Sequence, residues 1–209
     1  DVLVIFDEVM TGFGRTGTFF AAEQVEKLGG QADLICVSKG LTGGSLPMGA
    51  TLSTEAVYET FLDEQVGKAL LHGHSYTANP LGCAAALASL DLFDEGIAWQ
   101  GIERITAIHT ERLALLQEHP QIENLRQCGT IAAFELKSET NQYGSASSQW
   151  IRQQFFNRGI IARPLGLSMY WIPPYCTSAD TLHGAYDALE EVLALWSQST
   201  RHQSGSELF

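Results

Sequence analysis

The sequence predicts an α/β fold: a mainly parallel sheet with helices on both faces, followed by a smaller α+β domain. Three observations carry this. Apolar runs at residues 2–6, Leu34–Val37 and Ala50–Ser53 are near-continuous rather than alternating, the pattern of strands covered on both faces. Gly/Thr-rich turns and short helical stretches separate these runs. Beyond residue 96 the pattern changes to amphipathic helices around half-exposed strands.

In chain order, Val2-Leu3-Val4-Ile5-Phe6 is the first expected strand, and it ends in Asp7-Glu8. The second and third are Leu34–Val37 and Ala50–Ser53. Residues 54–63 have helical spacing, with Val57, Phe61 and Leu62 on one side. Pro80 opens an alanine-rich helix over residues 81–93, because its fixed φ and missing N–H suit a first turn; Gly96 ends it. Ile102, Ile105, Ile108, Leu115 and Leu116 mark the next helix, and residues 130–136 a half-exposed strand. Residues 141–148 form a polar loop, 149–157 a helix, and 160–162 and 169–172 strands. Thr177-Ser178-Ala179-Asp180 is a capping signal for a last helix carrying Leu182, Tyr186, Leu189, Leu193 and Trp196 on one face. The expected divisions are residues 1–96, 97–197 and a polar tail, 198–209. A central parallel strand needs neighbours on both sides, and this chain enters one at once. The sequence is therefore expected to be the C-terminal portion of a longer protein.

A net charge of −12 over 209 residues argues against a nucleic-acid surface, which requires clustered Lys and Arg. No apolar run reaches membrane-spanning length. The four cysteines are far apart without CxxC spacing, and Cys36 and Cys83 sit in apolar segments. Buried free thiols, a cytoplasmic setting and small-molecule partners are expected.

Two consecutive strand ends deliver a carboxylate, Asp7, and an amine, Lys39, to one sheet edge. Pyridoxal phosphate (PLP) chemistry requires that pair: the lysine forms a Schiff base, and the acid holds the ring nitrogen protonated. Ser38 and Gly40 beside the lysine suit a backbone turned tightly against a ligand. Gly12-Phe13-Gly14-Arg15-Thr16-Gly17 matches GxGxxG, but four residues separate it from the strand and no acid ends the next one. This argues against a nicotinamide-dependent oxidoreductase. A flexible active-site loop carrying Arg15 explains the glycines better. His72-Gly73-His74 lacks a third ligand at zinc-like spacing, so no metal is expected. Ser75 and Thr77, ahead of the proline-started helix, are placed to hold a phosphate. Arg163, after the expected strand 160–162, offers a bidentate fork to a carboxylate. No Gly-x-Ser-x-Gly elbow exists, which argues against a serine hydrolase.

Taken together, these patches resemble the class III, fold type I PLP-dependent aminotransferases. Phe6-Asp7-Glu8-Val9, Thr11-Gly12-Phe13-Gly14-Arg15-Thr16-Gly17, Ser38-Lys39-Gly40 and Asn79-Pro80-Leu81 match that family's signature in order and spacing. Four further stretches resemble its biotin-synthesis branch, which aminates 8-amino-7-oxononanoate with S-adenosylmethionine as the usual donor. These are Leu41-Thr42-Gly43-Gly44-Ser45-Leu46-Pro47, His72-Gly73-His74-Ser75-Tyr76, Arg163-Pro164-Leu165-Gly166, and Tyr170 before Pro173-Pro174. The resemblance implies Lys39 as the Schiff-base lysine, Asp7 as partner of the ring nitrogen and Val9 against one ring face. It implies Ser75 on the cofactor phosphate of the neighbouring subunit in a homodimer. Arg163 would bind the keto-acid carboxylate, Tyr170 would line the substrate pocket, and Arg15 would lie near its entrance. The family's glycine-serine phosphate cup, ring-stacking aromatic and further sheet strands have no counterpart here, so the chain alone is expected to be inactive and, with an open sheet edge, poorly soluble. Another class III ω-amino acid or diamine transaminase is the nearest rival reading.

Overall fold

The structure, a computed structural model, describes residues 2–137 and 146–203, with side chains through Ser197. The chain divides into two compact units, Asp1–Gln100 and Gly101–Phe209.

In the first unit, β1 (Ile5–Glu8) and β2 (Leu34–Val37) pair in parallel, with Asp7 opposite Cys36 and Glu8 opposite Val37. β3 (Ala50–Ser53) returns antiparallel to β2, giving the order β1-β2-β3. The antiparallel return has a simple cause. Residues 38–49 hold only a 3₁₀ turn, Lys39–Thr42, whereas a parallel return needs a full crossover. The first strand begins later than its apolar run suggested: Val2, Leu3 and Val4 lie outside β1 and are exposed. α1 (Ala22–Glu26) and α2 (Glu55–Glu59) are short. The helix expected over residues 54–63 stops early, with Phe61 and Leu62 exposed, so no apolar face holds its second turn in place. α3 (Pro80–Asp94) is capped by Asn79, whose Oδ1 accepts the Gly82 N–H at 2.8 Å. A cluster of edge-to-face rings fills this unit's interior: Phe13, Phe19, Phe20, Phe93 and Trp99, with centroids 4.9–5.6 Å apart in successive pairs.

The second unit carries the larger core. α4 (Ile97–Leu116) starts ahead of its expected position and buries Ile102, Ile105, Ile108, Leu113 and Leu116. Leu115, expected on that face, is exposed; Leu113 takes the position four residues from His109 and eight from Ile105. β4 (Ile122–Cys128), β5 (Ile131–Leu136) and β6 (Ser168–Trp171) form an antiparallel sheet in that order. β4 escapes the sequence reading because only Ile122 in it is buried. Residues 160–162 form no strand; Ile161 is exposed and no neighbour pairs with it among the described residues. α5 (Ala146–Phe156) takes in part of the expected loop 141–148, whose residues 141–145 lie outside the described residues. α6 (Ala179–Gln203) starts at Ser178, whose Oγ accepts the Thr181 N–H at 3.2 Å, and it continues six residues into the expected tail. Leu182, Tyr186, Leu189, Leu193 and Trp196 are all buried, as their spacing predicts.

Two contacts join α4 to the Tyr175–Thr177 turn. Arg104 donates to the carbonyls of Tyr175 (2.9 Å) and Thr177 (3.1 Å). At Gly101 any Cβ would lie 2.3 Å from the Tyr175 carbonyl oxygen, so only glycine allows the approach. Deeper in the core, the ring of fully buried His109 sits between the Tyr186 hydroxyl (Nδ1, 2.7 Å) and the Thr130 carbonyl (Nε2, 3.2 Å). A neutral ring satisfies both partners, with Nε2–H donating and Nδ1 accepting. Burial pushes its pKa down to about 4 and that of Tyr186 well up.

Candidate active site

In a strand, successive side chains point to opposite faces, so the adjacent carboxylates of β1 separate. Asp7 is exposed, and its Oδ1 accepts the Val9 N–H at 3.0 Å. Glu8 is only 2% exposed. Its Oε1 accepts the Ala22 N–H at 2.6 Å and its Oε2 the Thr11 hydroxyl at 2.5 Å, while its carbonyl accepts the Gly12 N–H at 3.0 Å. Glu8 thus ties down the glycine-rich segment. Gly12, Phe13 and Gly14 are buried, so the segment expected to be flexible is instead packed. Its glycines do not open a helix directly; α1 begins at Ala22. The sequence reading passed over Glu8, although strand alternation beside Asp7 signals it.

Lys39 follows β2 by two residues, so the ends of β1 and β2 bring Asp7 and Lys39 to the same edge of the sheet. Lys39 is exposed and has a φ of +35°, which non-glycine residues rarely adopt. The Ser38 hydroxyl donates to the Met48 carbonyl at 2.6 Å, tying the start of the turn to the approach to β3.

Beside this edge lies an open cavity of about 1000 Å³. Val9, Ser38, Leu46, Pro47 and Met48 form part of its wall, and His72, His74, Thr77 and Asn79 another part. Asp7, Lys39 and Ser75 are each next in sequence to a wall residue or within two positions of one, without lining it themselves. Ser75 is exposed, in a turn where the His74 N–H donates to Thr77 Oγ1 at 3.0 Å and the Tyr76 N–H to His74 Nδ1 at 3.1 Å. Arg15 is half-buried in the glycine-rich segment. Arg163 and Tyr170 belong to the second unit: Arg163 is exposed just before the Leu165–Ser168 bridge, and Tyr170 is half-buried in β6 opposite Ala133. Cys36 and Cys83 are free thiols, half-buried rather than buried.

The donor set fits PLP. An exposed primary amine and a carboxylate stand at adjacent strand ends, next to a largely apolar cavity with room for a flat ring. Among the described residues no helix is long and apolar enough to cross a membrane.

The sequence profile of the family described as Aminotransferase class-III matches residues 1–193. An adenosylmethionine-8-amino-7-oxononanoate aminotransferase from Synechococcus elongatus is 47% identical over 192 residues, covering 91% of this chain and 44% of the relative. The crystal structure of the enzyme of that name from Methanocaldococcus jannaschii is 35% identical with a TM-score of 0.80, covering 91% of this chain and 46% of that one. The crystal structure of an ω-transaminase from Pseudomonas jessenii in complex with PMP is 27% identical with a TM-score of 0.81, covering 95% of this chain and 44% of that one. The chain therefore spans under half the length of the curated relative it matches.

Proposed function

The chain belongs to the class III aminotransferases, and on that premise we propose that the protein carrying it transfers an amino group to 8-amino-7-oxononanoate, giving 7,8-diaminononanoate for biotin synthesis. The amino donor is S-adenosylmethionine, with lysine as the alternative donor to be tested. The observation that carries this reading is the Asp7–Lys39 pair at the ends of neighbouring parallel strands, beside a cavity suited to a planar cofactor. Relatives named for this activity, up to 47% identical, support the choice of substrate. The protein works as a cytoplasmic homodimer with shared sites, without nucleic-acid or membrane partners.

Pyridoxal 5'-phosphate, when bound, supplies the electron sink for the carbanion. The residues of this chain do the rest. Lys39 Nζ would hold the cofactor covalently at rest and, once freed, would be the base that takes the proton from the donor's amine-bearing carbon and the acid that delivers it to the cofactor side instead of back to that carbon. Asp7 keeps a proton on the ring nitrogen, and the Val9 N–H on its Oδ1 orients the carboxylate. Val9 would pack on one ring face. Ser75 would hydrogen-bond the phosphate of the cofactor held by the neighbouring subunit. Arg163 receives the keto-acid carboxylate, Tyr170 lines the substrate pocket and Arg15 guards its entrance.

The test is an assay of the full-length protein for 7,8-diaminononanoate by mass spectrometry, with each donor in turn. Lys39→Ala is expected to abolish turnover, and normal turnover in that variant would overturn the assignment. The ω-transaminase reading draws on the Pseudomonas jessenii likeness; it would prevail if simple keto acids were aminated and 8-amino-7-oxononanoate were not.

A further inference from the structure

A lysine at φ +35° is in a strained conformation that persists only where its surroundings enforce it. Contacts from three parts of the chain hold the backbone at Lys39 and Gly40. Behind it stands Phe13, 4% exposed, so close that a Cβ on Gly40 would lie 2.9 Å from both Phe13 Cβ and Cδ2. From α3, the hydroxyl of Ser89, 9% exposed, donates to the Gly40 carbonyl at 3.2 Å. In front, the N–H groups of Gly43 and Gly44 close the turn onto the Gly40 (3.0 Å) and Lys39 (2.9 Å) carbonyls. Phe13 is itself fixed, because Glu8 ties down the segment that carries it and the Phe19 and Phe20 rings meet it at 5.4 and 5.6 Å.

We propose that Ser89 and Phe13 are positioning residues for Lys39: the Ser89 hydroxyl on the Gly40 carbonyl, and the Phe13 ring against Gly40, fix the turn from which the lysine amine is presented. The inference rests on the reading of Lys39 as the PLP-linked lysine and extends it to two side chains that act on it through Gly40. Ser89 sits 50 positions beyond Lys39 in an alanine-rich helix, where serine has no packing advantage over alanine. Its hydroxyl gives it a use there.

The experiment uses the full-length protein with three variants, Ser89→Ala, Ser89→Thr and Gly40→Ala. PLP-free protein is mixed with PLP, quenched with borohydride at intervals, and the adduct on the Lys39 peptide is quantified by mass spectrometry, with kcat and KM measured alongside. Ser89→Ala is expected to slow trapping on Lys39 about fivefold, the equivalent of one hydrogen bond, and to lower kcat by a similar factor with KM unchanged. Ser89→Thr, which keeps the hydroxyl, is expected to restore both. Gly40→Ala should have the larger effect, because its methyl must displace Phe13; Ser89→Ala, a benign change within a helix, remains readable if Gly40→Ala does not fold. Wild-type trapping rate and kcat in Ser89→Ala would overturn the inference while leaving the proposed function intact. Absence of any PLP adduct on Lys39 in the wild-type protein would overturn both.

Discussion

The two units of this chain are built on opposite principles. Residues 101–209 enclose a continuous core in which Ile105, Ala132, Phe134, Ile151, Phe155, Val192 and Leu193 are completely buried. Residues 1–100 carry Asp7 and Lys39, yet expose Val2, Leu3, Ile5, Leu52, Leu71, Leu81 and Leu87. Their order comes from one ring cluster and from hydrogen bonds such as those of Glu8 and Asn79. The unit with the proposed chemistry is thus the one least able to stabilise itself. Its three-stranded sheet has open edges, and exposed apolar surface of this extent is a liability for a free chain.

The severest way to break this comparison is to prepare residues 1–209 alone. The preparation is expected to be poorly soluble and to bind no PLP, judged by sedimentation and by absorbance after gel filtration; a stable coloured preparation would mean that the first unit needs nothing more. Next in size are matched truncations. Phe134→Ala should destabilise the second unit by about 3–5 kcal/mol in urea unfolding followed by tryptophan fluorescence, because it empties a site with no exposure. Leu52→Ala in β3, on an exposed strand, should cost under about 0.5 kcal/mol. Similar losses would erase the contrast.

A smaller effect concerns pH. His109 has a folded pKa of about 4 against 6.5 for the free side chain, so below pH 6.5 the unfolded state takes up the proton first. Its contribution is fully present above pH 6.5 and is lost as pH falls toward 4, up to about 3 kcal/mol. His109→Gln should flatten that part of the stability–pH curve, and an unchanged slope would assign it to other groups. Smallest of all is Arg158→Ala, which removes the 2.8 Å pair with the exposed Glu191. It should cost no more than about 1 kcal/mol in the same unfolding assay.

Sequence reading succeeded where a local signal and the final environment agree. β2, the Asn79-Pro80 helix start and the buried face of α6 stand where their patterns put them, whereas β3 has its expected bounds but all four of its residues are exposed. It failed where a partner decides. β4 is a polar edge strand recognised by its pairing with β5, while residues 160–162 are apolar enough for a strand but pair with nothing among the described residues. In the candidate site, Asp7 and Lys39 were legible as strand-end residues. Ser89 was not, because its one informative bond reaches 49 residues back to Gly40. His109 could have been found: it occupies the same helical stripe as Ile105 and Leu113, where a polar residue needs buried partners.

The alternation of Asp7 and Glu8 has a consequence for how this gene tolerates change. Two neighbouring acids look interchangeable in a codon-by-codon scan, and either could be mutated with modest disturbance of the strand itself. Losing or gaining one codon upstream within β1 is a different event. It would swing the loop-anchoring carboxylate to the open face and the open-face carboxylate inward, reversing both tasks at once with both acids still present. In this strand the place each acid takes in the pleat decides which of the two tasks it can perform.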